Sequence, residues 1–156
     1  MPEYFIPSLA DRLNQLSRLP VQVAVAGAEA RPGTAWIAPW GVHLELRRDA
    51  RRLLLAFTDG PEENLCRPSV DVLFRSAAHV LDGKVLGVVL TGMGCDGLRG
   101  SRDICNAGGM VIVQDESTSV IKGGMGGCVA EAGLARKILP LSEIGPEIVR
   151  VARMGR

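Results

Sequence analysis

The sequence predicts a single α/β domain: an open, mostly parallel sheet flanked by helices, with a small antiparallel excursion. Three observations carry this. Residues 85–90 and 110–113 are continuously apolar and rich in β-branched side chains, as strands covered on both faces are. Each follows a glycine break and leads through a polar or glycine-rich loop into a helical pattern, so strand and helix alternate as a parallel sheet requires. The length, 156 residues with 47% hydrophobic and 22% charged, suits one core and is too short for two.

Taken in order, Phe5, Leu9, Leu13 and Leu16 recur at helical spacing opposite Asp11, Arg12, Asn14 and Gln15, which predicts an amphipathic helix over 7–19, stopped by Pro20. Residues 21–26 read as a short strand. Three short β-like runs follow, at 34–39, 43–47 and 52–57, punctuated by Pro-Gly, Pro-Trp-Gly and Asp-Gly-Pro turns, and the antiparallel excursion is expected there. Pro68 suits the first turn of a helix over 69–81, which gathers Val72, Leu73, Ala77, Val80 and Leu81 on one side and ends at Asp82-Gly83. The buried strand 85–90 leads through a glycine loop to a helix over 97–107. Strand 110–113 follows Gly108-Gly109, and a second glycine-rich loop, 123–127, precedes a short helix through Ala135. Ile138-Leu139 and a helix over 143–151 complete the chain. With no linker, repeat or low-complexity stretch, one domain over 1–156 is expected.

Eighteen Lys plus Arg against seventeen Asp plus Glu leave a formal charge of +1, without a long basic run, which argues against a nucleic-acid partner. No apolar stretch approaches the roughly 18 residues of a membrane span and no export signal is visible, so neither membrane insertion nor export is expected. Cys66, Cys95, Cys105 and Cys128 form no C-x-x-C pair and no zinc pattern. They read as reduced thiols of a cytoplasmic protein, and neither metal nor cofactor is expected.

Ligands of an open parallel sheet sit at the carboxyl ends of its strands, which directs attention to Thr91-Gly92-Met93-Gly94-Cys95-Asp96-Gly97. Its glycines let the backbone fold tightly and turn amides into a cleft. Asp96 has two readings: an N-cap of the helix that follows, or a carboxylate orienting a catalytic imidazole while the amide of Met93 or a neighbour serves an oxyanion. The second loop, Gln114-Asp115-Glu116-Ser117-Thr118-Ser119, reads as a solvated turn or, less readily, as paired carboxylates for a metal. His43 reads as a hydrogen-bonded, partly buried residue and His79 as lying on the polar side of its helix. Cys95 has no visible base beside it to make it a nucleophile.

These strings carry a resemblance. Ile37-Ala38-Pro39 with His43-Leu44, Arg67-Pro68-Ser69-Val70-Asp71-Val72-Leu73-Phe74, the Thr91–Gly97 loop, and Gln114–Ser119 with Val120, in this order along the chain, resemble the catalytic domain of the chemotaxis protein-glutamate methylesterases, the CheB family. The resemblance implies a parallel α/β sheet. It also implies hydrolysis of glutamate methyl esters on chemoreceptors, often with deamidation of receptor glutamines, by a Ser-His-Asp triad. Asp96 falls on the triad aspartate and Met93 on the residue whose backbone amide serves the oxyanion site. The implied partner is the cytoplasmic domain of methyl-accepting chemoreceptors or similar signalling proteins.

The family's nucleophilic Ser lies in a Ser-Thr-Gly-Gly-like turn, and its His stands immediately before a Met-Pro dipeptide. Met1-Pro2 matches the segment just after that His, so the resemblance implies a domain lacking its N-terminal strands, retaining only the Asp, and predicted inactive alone. It also leaves no room for the receiver domain that the family commonly carries upstream. The alternative is an inactive module that still binds receptors or signalling partners. Residues 123–128, Gly-Gly-Met-Gly-Gly-Cys, depart from the family's Phe-Gly-Met-Pro-like string.

Overall fold

The computed structural model describes residues 3–154; the Met1-Pro2 dipeptide lies outside them. The expected α/β architecture is present. Helix α1 (Phe5–Leu16) leads to β1 (Val21–Val23), β2 (Ala35–Ile37), β3 (His43–Asp49) and β4 (Arg52–Thr58). Then follow α2 (Val70–Val80), β5 (Leu86–Val89), α3 (Leu98–Asn106), β6 (Met110–Gln114), α4 (Met125–Glu131), β7 (Lys137–Leu139) and α5 (Leu141–Met154).

The strands divide into three small sheets among the described residues: a parallel β1-β2 pair, an antiparallel β3-β4 hairpin and a parallel β5-β6-β7 sheet. The hairpin is the antiparallel excursion, but β2 does not belong to it. Residues 24–34 are long enough to bring the chain around, so β2 lies parallel to β1 with Val21 opposite Ala35 and Val23 opposite Ile37. That connector runs along the free edge of β4, where Leu55 donates its amide to Ala28 O at 2.8 Å and Ala30 donates to Leu53 O at 2.8 Å.

Four helices differ in detail from the sequence expectation. α1 begins two residues earlier, because Pro7 is tolerated in a first turn, and ends at Leu16, where Ser17 turns extended. Its buried side chains are Ile6 and Ala10, while Phe5, Leu13 and Leu16 face outward. α2 is capped by Ser69, whose side chain accepts from the Asp71 amide, so Pro68 stands outside the helix rather than in its first turn. α4 begins at Met125, inside the expected 123–127 loop, because only Gly123 there takes a left-handed turn (φ +63), and it ends at Glu131 rather than Ala135; α5 spans Leu141–Met154 rather than 143–151.

α2 is the wedge that joins the two halves of the core. Its Ala78 and Phe74 pack with Val89, Ile104, Val111, Val113 and Val129, between the β5-β6-β7 sheet and helices α3 and α4. Its Leu73 packs with Ala24, Leu44 and Leu55 beneath the hairpin. α2 and α3 cross closely because residue 100 is glycine: a Cβ there would stand 2.5 Å from Phe74 Cβ and 3.0 Å from Asp71 O. This crossing brings the amino ends of both helices to the carboxyl end of β5.

Candidate functional site

The loop after β5 holds Asp96, one of the few buried carboxylates, at 5% exposure. Asp96 does not cap its own helix: the N-cap of α3 is Gly97, in a left-handed conformation and without a side-chain cap bond. Instead Asp96 reaches across to α2. Its Oδ2 accepts from the Val70 amide at 2.8 Å, and its Oδ1 accepts from the Asp71 amide at 3.1 Å and from Ser69 Oγ at 2.7 Å. The N-cap reading is corrected accordingly: the carboxylate caps a helix whose first residues lie some 26 positions earlier, where the free amides and the dipole of α2 favour an anion.

The capping is reciprocal. Asp71, fully buried in the first turn of α2, accepts from the Gly100 amide in the first turn of α3 at 2.7 Å. Asn64, from the loop before α2, donates its carboxamide to both carboxylates, at 2.8 Å to Asp71 Oδ2 and 3.2 Å to Asp96 Oδ1. Asp96 is thereby fixed through three donors on Oδ1 and one on Oδ2. Oδ2 keeps capacity for a further donor.

Ser69, His43 and Asp96 stand together, yet not as a nucleophilic triad. Ser69 Oγ donates to the aspartate, not to the histidine, and Ser69 and His43 are each only 2% exposed. His43 Nδ1 accepts from the Ser69 backbone amide at 3.2 Å, and Nε2 lies 2.9 Å from the Pro61 carbonyl, so the ring bridges two backbone groups as the Nε2–H tautomer. The reading of His43 as a hydrogen-bonded residue holds, although it is fully rather than partly buried. His79 is exposed in the last turn of α2. Among the described residues all hydrogen-bond partners of the Asp96 carboxylate come from Asn64, Ser69, Val70 and Asp71.

The rest of the loop is open to solvent. Met93 is 81% exposed, and among the described residues its amide finds no protein acceptor. Gln114, buried at the end of β6, joins the two loops: its Oε1 accepts from the Thr91 amide at 2.9 Å and its Nε2 donates to Thr118 O at 2.8 Å. The second loop is a built turn. Asp115 accepts from the Thr118 amide and hydroxyl at 2.9 and 2.7 Å, and the Thr118 hydroxyl bond first of all holds its carboxyl below the ordinary range. Among the described residues no group of three or more His, Cys, Asp or Glu is placed to hold a metal ion, and no helix is long and apolar enough to cross a membrane.

The expectation of four reduced cysteines needs correction. Cys95 in the first loop and Cys128 in α4 are joined by a disulfide, while Cys66 and Cys105 are free. The tertiary fold brings together two residues 33 positions apart, which no spacing rule announces. Sequence reasoning also missed Asn64 and Asp71. The sequence carries a cue only for Ser69: a Ser directly before an apolar helical run, followed by an Asp in the first turn.

A family model described as CheB methylesterase matches residues 1–148. The chain is 49% identical over 150 residues to a protein-glutamate methylesterase/protein-glutamine glutaminase of Trichodesmium erythraeum, covering 96% of this chain and 42% of that protein. It is 50% identical over 150 residues to one of Nocardioides sp., covering 96% and 41%. It is 46% identical over 151 residues to one of the group 2 operon of Rhodopseudomonas palustris, covering 97% and 38%. It thus spans about two fifths of the length of these relatives. The crystal structure of the Thermotoga maritima CheB methylesterase catalytic domain superposes with a TM-score of 0.94 at 36% identity, covering 97% of this chain and 79% of that one.

Proposed function

The chain belongs to the CheB methylesterase family, and on that premise we propose that it supplies the aspartate and oxyanion half of a serine-type site acting on chemoreceptors. That site hydrolyses methyl esters of receptor glutamates and deamidates receptor glutamines, and the chain works among cytoplasmic signalling proteins. The observation that carries this reading is the Asp96 carboxylate, buried, held through Oδ1 by neutral donors, and left with acceptor capacity on Oδ2 beside an exposed loop of free amides.

In this reading the nucleophilic serine and the imidazole come from polypeptide outside this sequence. The serine oxygen adds to the ester carbonyl as its proton passes to the imidazole. Asp96 Oδ2 accepts the imidazole's other N–H, fixing tautomer and orientation and stabilising the imidazolium. The Met93 amide donates to the oxyanion of the tetrahedral intermediate, a contribution of about 10²–10³-fold for one well-aimed donor. Collapse returns the proton to the leaving oxygen as methanol, or to nitrogen as ammonia from glutamine, and water then releases the glutamate carboxylate by the same steps.

A second reading, an inactive module that binds receptors or signalling partners, draws on the same capping: a chain without catalysis would keep Asp96 to hold α2. Methanol release from a methylated chemoreceptor separates the two. We expect turnover when this sequence is continued upstream by a strand, a Ser-Thr-Gly-Gly turn and a His, with strong loss on Asp96→Asn. Equal release with and without Asp96 would remove the aspartate from the mechanism.

A further inference from the structure

We propose that Cys95 and Cys128 form a thiol–disulfide switch that pins the Met93-Gly94 segment to helix α4, an inference that rests on the esterase reading for its catalytic consequence. The pair is bonded with a Cα–Cα distance of 5.6 Å, well within the span a disulfide bridges without backbone movement. Cys95 is exposed in the loop and Cys128 is half-buried on the first turn of α4, so a small reagent reaches the pair from the loop side.

The position of the bond matters more than its presence. Immediately upstream of Met93-Gly94-Cys95, the chain is already fastened: the Met125 amide, at the start of α4, donates to Gly92 O at 3.0 Å. The Met125 side chain also packs onto Gly92, its sulfur occupying the space where a Cβ on residue 92 would stand. The disulfide fastens the far side of the same segment to the same helix, and Cys128 Sγ lies 3.8 Å from Gly94 O. Met93 and Gly94 are therefore bracketed by two anchors on α4, with Gly94 at φ +76 and nothing within 4 Å of where its Cβ would be. When the bond is reduced, Gly92 is the one remaining anchor to α4, and on the other side the segment is held only from Asp96 onward, through its bonds to α2. The Met93 amide is then held less tightly, and a fixed orientation is the property an oxyanion donor depends on.

The other two cysteines do not compete. Burial raises the thiols of both Cys66 and Cys105 above their ordinary value, which disfavours their reactive thiolates. The oxidant is a small-molecule disulfide. The Cys95 thiolate attacks one of its sulfurs, forming a mixed disulfide and releasing one small thiol. The Cys128 thiolate then attacks Cys95 Sγ and releases the second. Two electrons pass from the protein sulfurs to the reagent, and the two protein thiol protons end on the two released thiols.

Three measurements test this. The chain is equilibrated with glutathione buffers of graded redox ratio, quenched by alkylation under denaturing conditions and weighed intact. Cys95 and Cys128 should be protected together, with Cys66 and Cys105 always alkylated; independent alkylation of the pair, or accumulated glutathione adducts, would overturn the proposal. Hydrogen exchange at residues 93–97 should be slower in the oxidised form by about fivefold or more, a difference absent in Cys128→Ser; identical exchange would overturn the pinning. In the polypeptide that carries the nucleophile and imidazole, reduction should lower kcat about three- to thirtyfold with KM unchanged, and Cys128→Ser should hold the reduced value in both buffers. Redox-independent kcat would overturn the catalytic consequence. Absence of methanol release in every redox state would instead refute the esterase reading, leaving the first two measurements to decide the pinning.

Discussion

Replacing Asp96 with asparagine changes one atom, and the hydrogen bonds around it say what that atom does. An asparagine here can keep its carbonyl oxygen where Oδ1 stands, facing Ser69 Oγ and the Asp71 amide, or where Oδ2 stands, facing the Val70 amide. The first arrangement loses one acceptor and the second loses more, so the carboxamide nitrogen settles against the Val70 N–H, two donors facing one another in a buried place. Losing a charge-assisted bond and leaving a buried donor unpaired costs about 1.5–3 kcal/mol. Removing the negative charge from the amino end of α2 adds about 0.3–1 kcal/mol. Asp96→Asn should therefore destabilise the chain by about 2–4 kcal/mol, a large share of a typical net stability of roughly 5–15. For a domain of this length that is a fall in Tm of about 6–12 °C. Thermal and urea melts read it directly. A variant that melts within about 1 °C of the parent would refute the claim that Asp96 caps α2, whatever its role in catalysis.

Gly100→Ala drives a methyl group into Phe74 and the Asp71 carbonyl, and should destabilise by about 1–3 kcal/mol, whereas Gly127→Ala, inside α4 with nothing within 4 Å, should stabilise by about 0.4–1 kcal/mol in the same melts. Glu147, held by Arg150 at 2.6 Å and Lys137 at 3.1 Å, has its carboxyl pushed down to about 2, Arg150 contributing most. A depressed folded pKa stabilises above the unfolded value, so this contribution should be complete near neutral pH and fade as pH falls from about 4.5 toward 2; Glu147→Gln should flatten that part of the stability–pH curve, and an unchanged acid limb would contradict the pairing. If the proposed function holds, this sequence alone should release no methanol from methylated receptor, because an aspartate and an oxyanion donor without nucleophile and base give only background stabilisation; turnover abolished by Asp96→Asn would contradict that. Among the described residues β5 pairs only with β6, and its open edge should make the chain self-associate with rising concentration in size-exclusion chromatography; a sharp monomer peak throughout would contradict it.

What the sequence revealed and what it hid follow one physical division. The buried strands β5 and β6 were legible because a strand covered on both faces must be apolar along its whole length, and the glycine loop was legible because such loops follow such strands. The wedge role of α2 was partly legible, since Val72, Leu73 and Ala77 mark a face, though not that Phe74 and Leu73 turn to different cores. The parallel pairing of β2 was hidden, because the Pro32-Gly33 turn suggests a reversal while the full 24–34 connector permits a crossover. Asp96 showed its chemistry but not its partners: local spacing pointed to its own helix, and the amides it accepts from belong to another. Asn64, Asp71 and the Cys95–Cys128 bond share this property. Each joins positions far apart in the chain, so no periodicity could announce them.

In the proposed function Asp96 acts on an imidazole as well as on a helix, and Asp71 offers the control that separates these roles. Asp71 is as buried and also caps a helix, but it faces the Gly100 amide and Asn64 rather than the open loop. The decisive measurement is kcat for methanol release by Asp96→Asn and by Asp71→Asn, in the polypeptide carrying the nucleophile and imidazole, at a temperature where both variants are folded. The expected loss is on the order of 10⁴-fold for Asp96→Asn, as when a triad carboxylate is neutralised, and less than about tenfold for Asp71→Asn, whose effect reaches the site only through packing. Equal losses in the two variants would contradict it and reduce Asp96 to a helix cap.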